Sequence, residues 1–180
     1  TVTEVMWVTG AALFIRLADY REVGGLDGHF FAHMEEIDLC WRLRSRGKKL
    51  VCIPQSVVYH VGGATLKKEN PRKTFLNFRN NLLMLYKNLP DKELEHVLFI
   101  RGILDRVAAL VFYLKKDRAN ARAVMQARRE FEDIRYSFAA SRIENMMKST
   151  DEIIPERTHF SIVMKYYLLG KKHFSQLKLF

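Results

Sequence analysis

One stretch decides the fold expected for this 180-residue chain: Gly24-Gly25-Leu26-Asp27-Gly28-His29-Phe30-Phe31-Ala32-His33-Met34-Glu35-Glu36-Ile37-Asp38-Leu39-Cys40-Trp41-Arg42. A glycine turn opens it, an aromatic pair follows, and Glu35, Glu36 and Asp38 then stand within four positions at the start of an expected helix. Carboxylates packed this tightly beside apolar residues repel one another, and a cation, a basic side chain or a proton-transfer role has to offset the cost. We therefore expect the chemistry of the protein in this stretch.

The charge of the chain is strongly positive and evenly spread. Residues 1–90 carry 13 basic and 8 acidic side chains, residues 91–180 carry 17 and 12, and the net charge is +10. Such an excess predicts attraction to polyanions such as nucleotides, phospholipid headgroups or nucleic acid. A nucleic-acid interface would need a basic stripe, usually with stacking aromatic residues, so charge alone does not define one. We predict no nucleic-acid partner.

The composition predicts a globular, cytoplasmic protein. Apolar residues make up 48% of the chain, which is enough for a hydrophobic core. The sequence contains no run of about 18 apolar residues, so no segment is expected to span a membrane. Cys40 and Cys52 are too few for a disulfide framework and lack zinc-site spacing. They predict reduced, buried thiols in a cytosolic protein.

The first half of the chain predicts a small mixed unit. Residues 5–15 are apolar around a central glycine, which indicates a buried strand. Residues 35–46 have helical periodicity, with Ile37, Cys40 and Trp41 on one stripe and a glycine after the end. Two short β-rich runs follow, at 49–53 and 56–60.

Helical periodicity dominates the rest of the chain. Helices are predicted over 74–89, 92–115, 118–148 with a possible interruption, and 158–178. The predicted fold class is therefore α+β, mainly α, with residues 1–90 as one unit and residues 91–180 as a helical C-terminal extension.

The order and spacing of several short motifs resemble a known family. The matching pieces are Thr9-Gly10-Ala11, Gly24-Gly25-Leu26-Asp27, Phe30-Phe31, Glu35-Glu36-Ile37-Asp38-Leu39-Cys40-Trp41-Arg42, Gly47, Pro54, Val58-Tyr59-His60 and Arg79-Asn80-Asn81. They resemble the C-terminal half of the catalytic domain of family 2 glycosyltransferases, particularly the rhamnosyltransferase-like bacterial group. Each piece alone is weak, and together they cover about half of the chain.

The resemblance implies a GT-A fold of which this chain is an incomplete part. Such enzymes bind the nucleotide-sugar with a first half that carries an Asp-x-Asp metal motif, and the sequence contains no Asp-x-Asp. The chain also begins at Thr1 and enters an apolar run almost at once. We therefore expect the acceptor-side half of the GT-A domain followed by the helical extension. As a fragment, it should be inactive alone.

The resemblance implies that Glu36 is the general base of an inverting sugar transfer. In the family, the second acid of the pair at this helix start takes the proton of the acceptor hydroxyl, and here that position is Glu36. A glutamate replaces the expected aspartate and adds one methylene of reach. The alternative is an acidic helix start that only complements the helix dipole.

Further site residues follow from the same resemblance. Residues expected to contact donor or acceptor are Gly10, Gly25, Asp27, Glu35, Asp38 and Arg42. Asp38 and Arg42 stand four apart, so they can equally form a routine helix-surface ion pair, and Asp27 can equally cap its own turn. His60 is expected to reach a Mg²⁺ or Mn²⁺ ion bound to the diphosphate, although a lone strand histidine is more often structural.

The predicted partners are a nucleotide-diphosphate sugar donor and a cell-surface polysaccharide or lipid-linked glycan acceptor. Apolar helical faces bordered by lysines in the second half are ordinarily explained by packing among these helices or onto the missing half of the domain. The alternative is contact with the inner face of the cell membrane. Self-association into a homo-oligomer is expected if apolar surface is left exposed. The alternative function is a basic helical module that binds nucleic acid or docks on a membrane without catalysis.

Overall fold

The computed structural model describes residues 1–61, 70–150, 154–158, 160, 162–173 and 176–177. Helices dominate the described chain. In order, its elements are β1 (Thr3–Glu4), α1 (Leu17–Glu22), α2 (Glu35–Ser45), β2 (Val51–Cys52), α3 (Pro71–Asn88), α4 (Asp91–Leu114), α5 (Arg118–Ile134), α6 (Ala139–Met147) and α7 (Ile162–Tyr167).

Helix α2 confirms the helix predicted over 35–46. It begins directly after Met34, whose φ is +74°, and carries three carboxylates in its first turn. Negative charge in the first turn complements the positive end of the helix dipole. The helix ends at Ser45, and Gly47 follows with a left-handed φ of +75°, the conformation that terminates many helices.

The longer helices also lie close to their predicted positions. Helix α3 starts three residues earlier than expected because the Asn70 side chain accepts a hydrogen bond from the Arg72 amide (2.9 Å) ahead of Pro71. The helix predicted over 118–148 is interrupted by a 3-10 turn at Arg135–Phe138. Helix α7 is shorter than the predicted 158–178, part of which lies outside the described residues.

The strand predictions are wrong for most of their length. The described sheet is one short antiparallel ladder, in which Thr3 pairs with Cys52 and Glu4 with Val51. Residues 5–15 form no strand. Val5, Val8, Leu13 and Ile15 pack against a small core that includes Leu39 of α2, whereas Trp7 and Phe14 are exposed. The run 56–60 is exposed and irregular. The predicted half of a GT-A sheet is therefore not confirmed, because these apolar runs find no neighbouring strand edge.

The main hydrophobic core joins both halves of the chain. Helices α2 and α3 contribute Trp41 and Leu82, and Leu98 and Phe131 come from α4 and α5. Residues on both sides of position 90 thus share one core. Among the described helices, none combines the length and hydropathy that crossing a membrane requires.

Candidate active site at the start of helix α2

The loop before α2 has an unusual backbone. Phe31, His33 and Met34 have left-handed φ values of +61°, +70° and +74°. Such conformations are costly for residues other than glycine and persist only where the surroundings enforce them. The start of α2 is therefore held in place by contacts outside the loop.

Asn80 of α3 supplies those contacts. Its side chain is fully buried, and its Nδ2 donates to the carbonyl oxygens of Phe30 (2.8 Å), Ala32 (2.8 Å) and His33 (2.9 Å). The two hydrogens of this amide are thus shared among three loop carbonyls, and the Phe30 carbonyl also accepts from the Ala32 backbone amide (2.7 Å). This loop geometry depends on α3.

Arg79 reinforces the same loop from the neighbouring position. Its guanidinium donates to the carbonyl oxygen of His29 (3.0 Å) and forms an ion pair with Glu130 of α5 (2.8 Å). Its Nε also donates to Oδ1 of Asn80 (2.9 Å), which fixes the orientation of that amide. The Arg79-Asn80 motif therefore positions the start of α2.

Glu36 lies in the first turn that this loop positions, and it is half-buried. Its Oε2 is buried and has no hydrogen-bond partner among the described residues. The side chain passes close to Gly10: a Cβ atom there would lie 3.7 Å from the Cβ of Glu36. A side chain at position 10 would thus meet the aliphatic stem of Glu36 at ordinary van der Waals distance.

Burial raises the pKa of Glu36, and the neighbouring Glu35 carboxylate adds to the rise. Its own backbone amide and His33 oppose the shift without cancelling it. A carboxylate with a raised pKa is a stronger base nearer neutral pH. Buried Oε2 of Glu35 and Nε2 of His33 also lack partners in the described part of the chain. Polar atoms without hydrogen-bond partners at the start of α2 make this position suited to proton transfer.

Asp38 points to the opposite side and is fully buried. It accepts hydrogen bonds from Arg42 (Nε, 3.0 Å), Lys87 (3.0 Å) and Asn88 (2.7 Å). The predicted pairing of Asp38 with Arg42 is confirmed, but it is no helix-surface pair. Direct substrate contact by Asp38, as predicted, finds no support in this geometry, because its oxygens are already bound inside the protein.

Arg42 and Lys87 tie this buried carboxylate to the glycine turn. Arg42 donates to the carbonyl oxygens of Val23 and Gly25, the latter at 2.7 Å. Gly25 has φ of +67°, and a Cβ atom there would lie 2.8 Å from the Tyr20 ring. The turn therefore requires glycine. These contacts show Gly25 and Arg42 as structural supports of the turn.

Asp27 stands at the outer end of the same network. Its Oδ2 accepts from Lys87 (2.8 Å), and its Oδ1 accepts from the backbone amide of His29 (3.0 Å). Burial alone would raise the pKa of Asp27, but the hydrogen bonds from Lys87 and His29 outweigh it and lower that pKa to about 2. Asp27 is thus firmly ionised, and it also caps its own turn.

A cavity of about 710 Å³ opens beside this turn. It is lined by Gly25, Asp27 and Arg42 on one side and by α6 residues such as Ser141 and Asn145 on the other. The lining does not include Gly10, Glu35 or Glu36. The structure therefore brings the predicted site residues together at two separate places, the α2 corner and this cavity.

His60 lies elsewhere, exposed on the irregular segment after β2. Across the described ranges, no group of three or more His, Cys, Asp or Glu side chains is arranged to hold a metal ion. The Mg²⁺ or Mn²⁺ site expected in the complete enzyme stays a prediction, because it also requires the Asp-x-Asp motif that this sequence does not contain.

Sequence reasoning missed Lys87 and Asn88, which complete the buried network. Both lie on the inner face of α3, where Lys87 sits among apolar neighbours such as Met84 and Tyr86. A lysine within an apolar helical stripe is rarely buried without a partner. A lysine at this apolar position, in a chain that also has carboxylates on α2, was the signal that could have predicted the buried ion pair.

Comparison with known proteins identifies the chain as a distant homologue of glycosyltransferases. It is 31% identical over 141 residues to the pre-mycofactocin glycosyltransferase of Mycobacterium tuberculosis, covering 72% of this chain and 29% of that protein. It is 38% identical over 56 residues to the N-acetylglucosaminyl-diphospho-decaprenol L-rhamnosyltransferase of the same organism, covering 31% of this chain and 18% of that protein.

A third relative is rhamnosyltransferase WbbL of Escherichia coli, at 36% identity over 58 residues, with 32% of this chain and 22% of that protein covered. The chain thus spans less than a third of the length of each of these relatives. No protein-family model and no solved structure matches it. The names of the relatives support sugar transfer as the general activity.

Proposed function

We propose that this chain is the acceptor-side part of an inverting family 2 glycosyltransferase with a GT-A catalytic domain, in which Glu36 is the general base. The observation that carries the proposal is the half-buried Glu36 carboxylate, whose Oε2 has no partner among the described residues and whose pKa is raised. The distant homology to glycosyltransferases supports the class of reaction.

In the proposed reaction, an acceptor hydroxyl approaches Glu36 and its oxygen attacks the anomeric carbon of the donor sugar. The bond from that carbon to the diphosphate breaks, the nucleoside diphosphate leaves, and the hydroxyl proton passes to Glu36. The raised pKa makes the carboxylate a better proton acceptor. Glu35 favours this basicity by repelling the negative charge of Glu36.

The proposed donor is a nucleotide-diphosphate sugar, and the proposed acceptor is a lipid-linked glycan or a growing cell-surface polysaccharide. One relative is named for transfer to a diphospho-decaprenol-linked N-acetylglucosamine, which supports a lipid-linked acceptor. Gly10 lies beside the aliphatic stem of Glu36 and Glu35 acts on its charge, and these are the residues we propose to line the reacting centre.

The test is Glu36→Gln in the complete enzyme, with Glu95→Gln on the exposed surface of α4 as the matched control. Release of nucleoside diphosphate is measured with hexosyl and deoxyhexosyl donors and N-acetylglucosaminyl-diphospho-decaprenol as acceptor. We expect Glu36→Gln to lower kcat by about 10²- to 10⁴-fold. Donor binding should be unchanged, and Glu95→Gln should behave like the wild type.

The pH profile separates a base from a structural residue. Because Glu36 must be ionised to accept the proton, kcat/KM should fall as pH drops through its raised pKa. Glu35→Gln should move this fall in kcat/KM to lower pH, because it removes the negative charge that repels the Glu36 carboxylate. If Glu36→Gln retains turnover within twofold of the wild type, Glu36 is not the base.

A further inference from the structure

Helix α4 presents a straight row of large apolar side chains to solvent. Phe99, Ile103, Val107, Leu110 and Leu114 are 69%, 49%, 51%, 55% and 71% exposed. Their spacing of four, four, three and four residues places them on one helical face. At 1.5 Å per residue, the row is about 22 Å long.

The inner face of α4 has the opposite character. Leu98, Gly102, Asp105 and Ala109 face α5 and are buried, and Asp105 forms an ion pair with Arg128 of α5 (2.9 Å). From Gly102 onward, small and charged residues thus pack inward, while bulky apolar ones such as Ile103, Val107 and Leu110 point outward. A surface helix normally has the reverse pattern. The outer row therefore indicates a face that meets an apolar environment.

Basic residues surround the end of this row. Lys115, Lys116, Arg118 and Arg122 are all exposed where α4 gives way to α5. From residue 99 to residue 122 the sequence has six basic and two acidic side chains. Both acids are engaged within the protein, since Asp105 pairs with α5 and Asp117 caps that helix. Asp117 keeps its negative charge as a cap, so the four basic residues and this one acid leave a net charge of +3 at this end.

We propose that α4 docks in the plane of an anionic lipid surface, with the row from Phe99 to Leu114 among the acyl chains and its basic end at the headgroups. Helices that lie in a membrane interface combine an apolar face with lysines and arginines beside it. The proposal concerns where the protein sits, and it does not depend on sugar transfer by Glu36.

The charges argue against a second copy of the chain as the occupant. Antiparallel pairing of two α4 helices would bring the basic end of one to the acidic start of the other. However, Asp91 already pairs with Arg142, and Glu93 pairs with Arg157 at 2.8 Å. Glu95 is also exposed at that end of α4, so a second copy would bring one further carboxylate to four basic side chains, whereas an anionic headgroup surface supplies negative charge along the whole basic end.

The experiment is cosedimentation of the full chain with sucrose-loaded vesicles of phosphatidylcholine, with and without 30% phosphatidylglycerol. The apolar variant is Leu110→Ser with Leu114→Ser, and its control is Met147→Ser, an exposed apolar residue of α6. The charge variant is Lys115→Gln with Lys116→Gln, and its control is Lys92→Gln with Arg21→Gln. All of these side chains are exposed, and circular dichroism verifies that each variant folds.

We expect binding to the anionic vesicles, with much weaker binding to phosphatidylcholine alone. The apolar variant should lower the partition coefficient by at least about thirtyfold, and the charge variant should lower it by about fivefold for each lysine. Both controls should stay within twofold. Raising the salt concentration should weaken the charge-dependent part.

Two outcomes would overturn the proposal. One is an absence of cosedimentation, or variants that bind like their controls. The other is a wild-type chain that is dimeric by sedimentation velocity and becomes monomeric with Leu110→Ser and Leu114→Ser without binding vesicles. That result would assign the face to a second copy of the chain.

Discussion

Replacing Lys87 with methionine should destabilise the protein because it leaves a buried negative charge uncompensated. Lys87 is 3% exposed and lies between Asp27 (2.8 Å) and Asp38 (3.0 Å). Together with Arg42, these groups form a neutral set of two carboxylates and two cations. Methionine has a similar length and keeps the packing of the stem, so the substitution removes mainly the charge.

The expected loss is about 3 kcal/mol of unfolding free energy. Breaking a buried ion pair by removing one partner typically costs about 3–5 kcal/mol. The lower end applies because Asp38 keeps its hydrogen bonds to Arg42 and Asn88. For a chain of this size, the loss corresponds to a decrease in Tm of roughly 6–12 °C.

The assay is urea unfolding followed by far-UV circular dichroism and by the fluorescence of the buried Trp41. The matched control is Lys148→Met, which removes an exposed ion pair with Glu144 and should cost no more than about 0.5 kcal/mol. Adding Asp27→Asn to Lys87→Met restores a neutral set. The double variant should therefore lose about 1–2 kcal/mol less than the sum of the single variants.

The reasoning is refuted if Lys87→Met costs less than about 1 kcal/mol, or if the two substitutions are additive. Either result would mean that solvent reaches the network and screens its charges. Asp38 would then be a routine partner of Arg42, as one reading of the sequence allowed.

Three further predictions follow from the loop, the turn and the thiols. Asn80→Ala should cost about 3 kcal/mol, because three loop carbonyls lose the Asn80 donor, and it should lower Tm by roughly 6–12 °C in a thermal melt. Asp27, whose pKa is lowered to about 2, should stabilise the protein at neutral pH by roughly 1 kcal/mol after solvent screening is allowed for. This contribution should be lost as pH falls from about 5 to about 2, and Asp27→Asn should flatten that part of the urea-midpoint profile. Exposed Cys52 should react with a maleimide in the native protein, whereas Cys40 is buried, has a raised pKa and should react only in urea, as mass spectrometry of the labelled peptides would show.

The helices were predictable because their signals are local. Acidic residues and a following glycine delimit α2, an Asn-Pro pair starts α3, and Pro90 precedes α4. Each signal acts within a turn or two of its own position. The strand predicted over 5–15 failed because a strand also needs an edge to pair with, and an apolar run alone does not supply one.

The candidate site was predictable only in part. The motif that singled out Glu36 also placed it correctly in the first turn of α2. The neighbouring Asp38 has the same charge and lies two residues away, yet it faces the buried lysine of α3. Side chains two residues apart on an α-helix point about 200° apart around its axis, so the surroundings of each depend on what packs against its own face.

By itself, the sequence determined where most helices begin and end, that Asp38 and Arg42 pair, and that acids gather at the start of α2. These features arise from residues a few positions apart, whose contacts form in any fold that contains the helix. Only the tertiary structure decided that Lys87 neutralises Asp38, that Asn80 holds the loop, and that the apolar row of α4 points outward. The first two outcomes depend on contacts between residues about 50 positions apart. The third depends on how α4 packs against α5, where Asp105 and Arg128 are 23 positions apart, and no local pattern encodes such proximity.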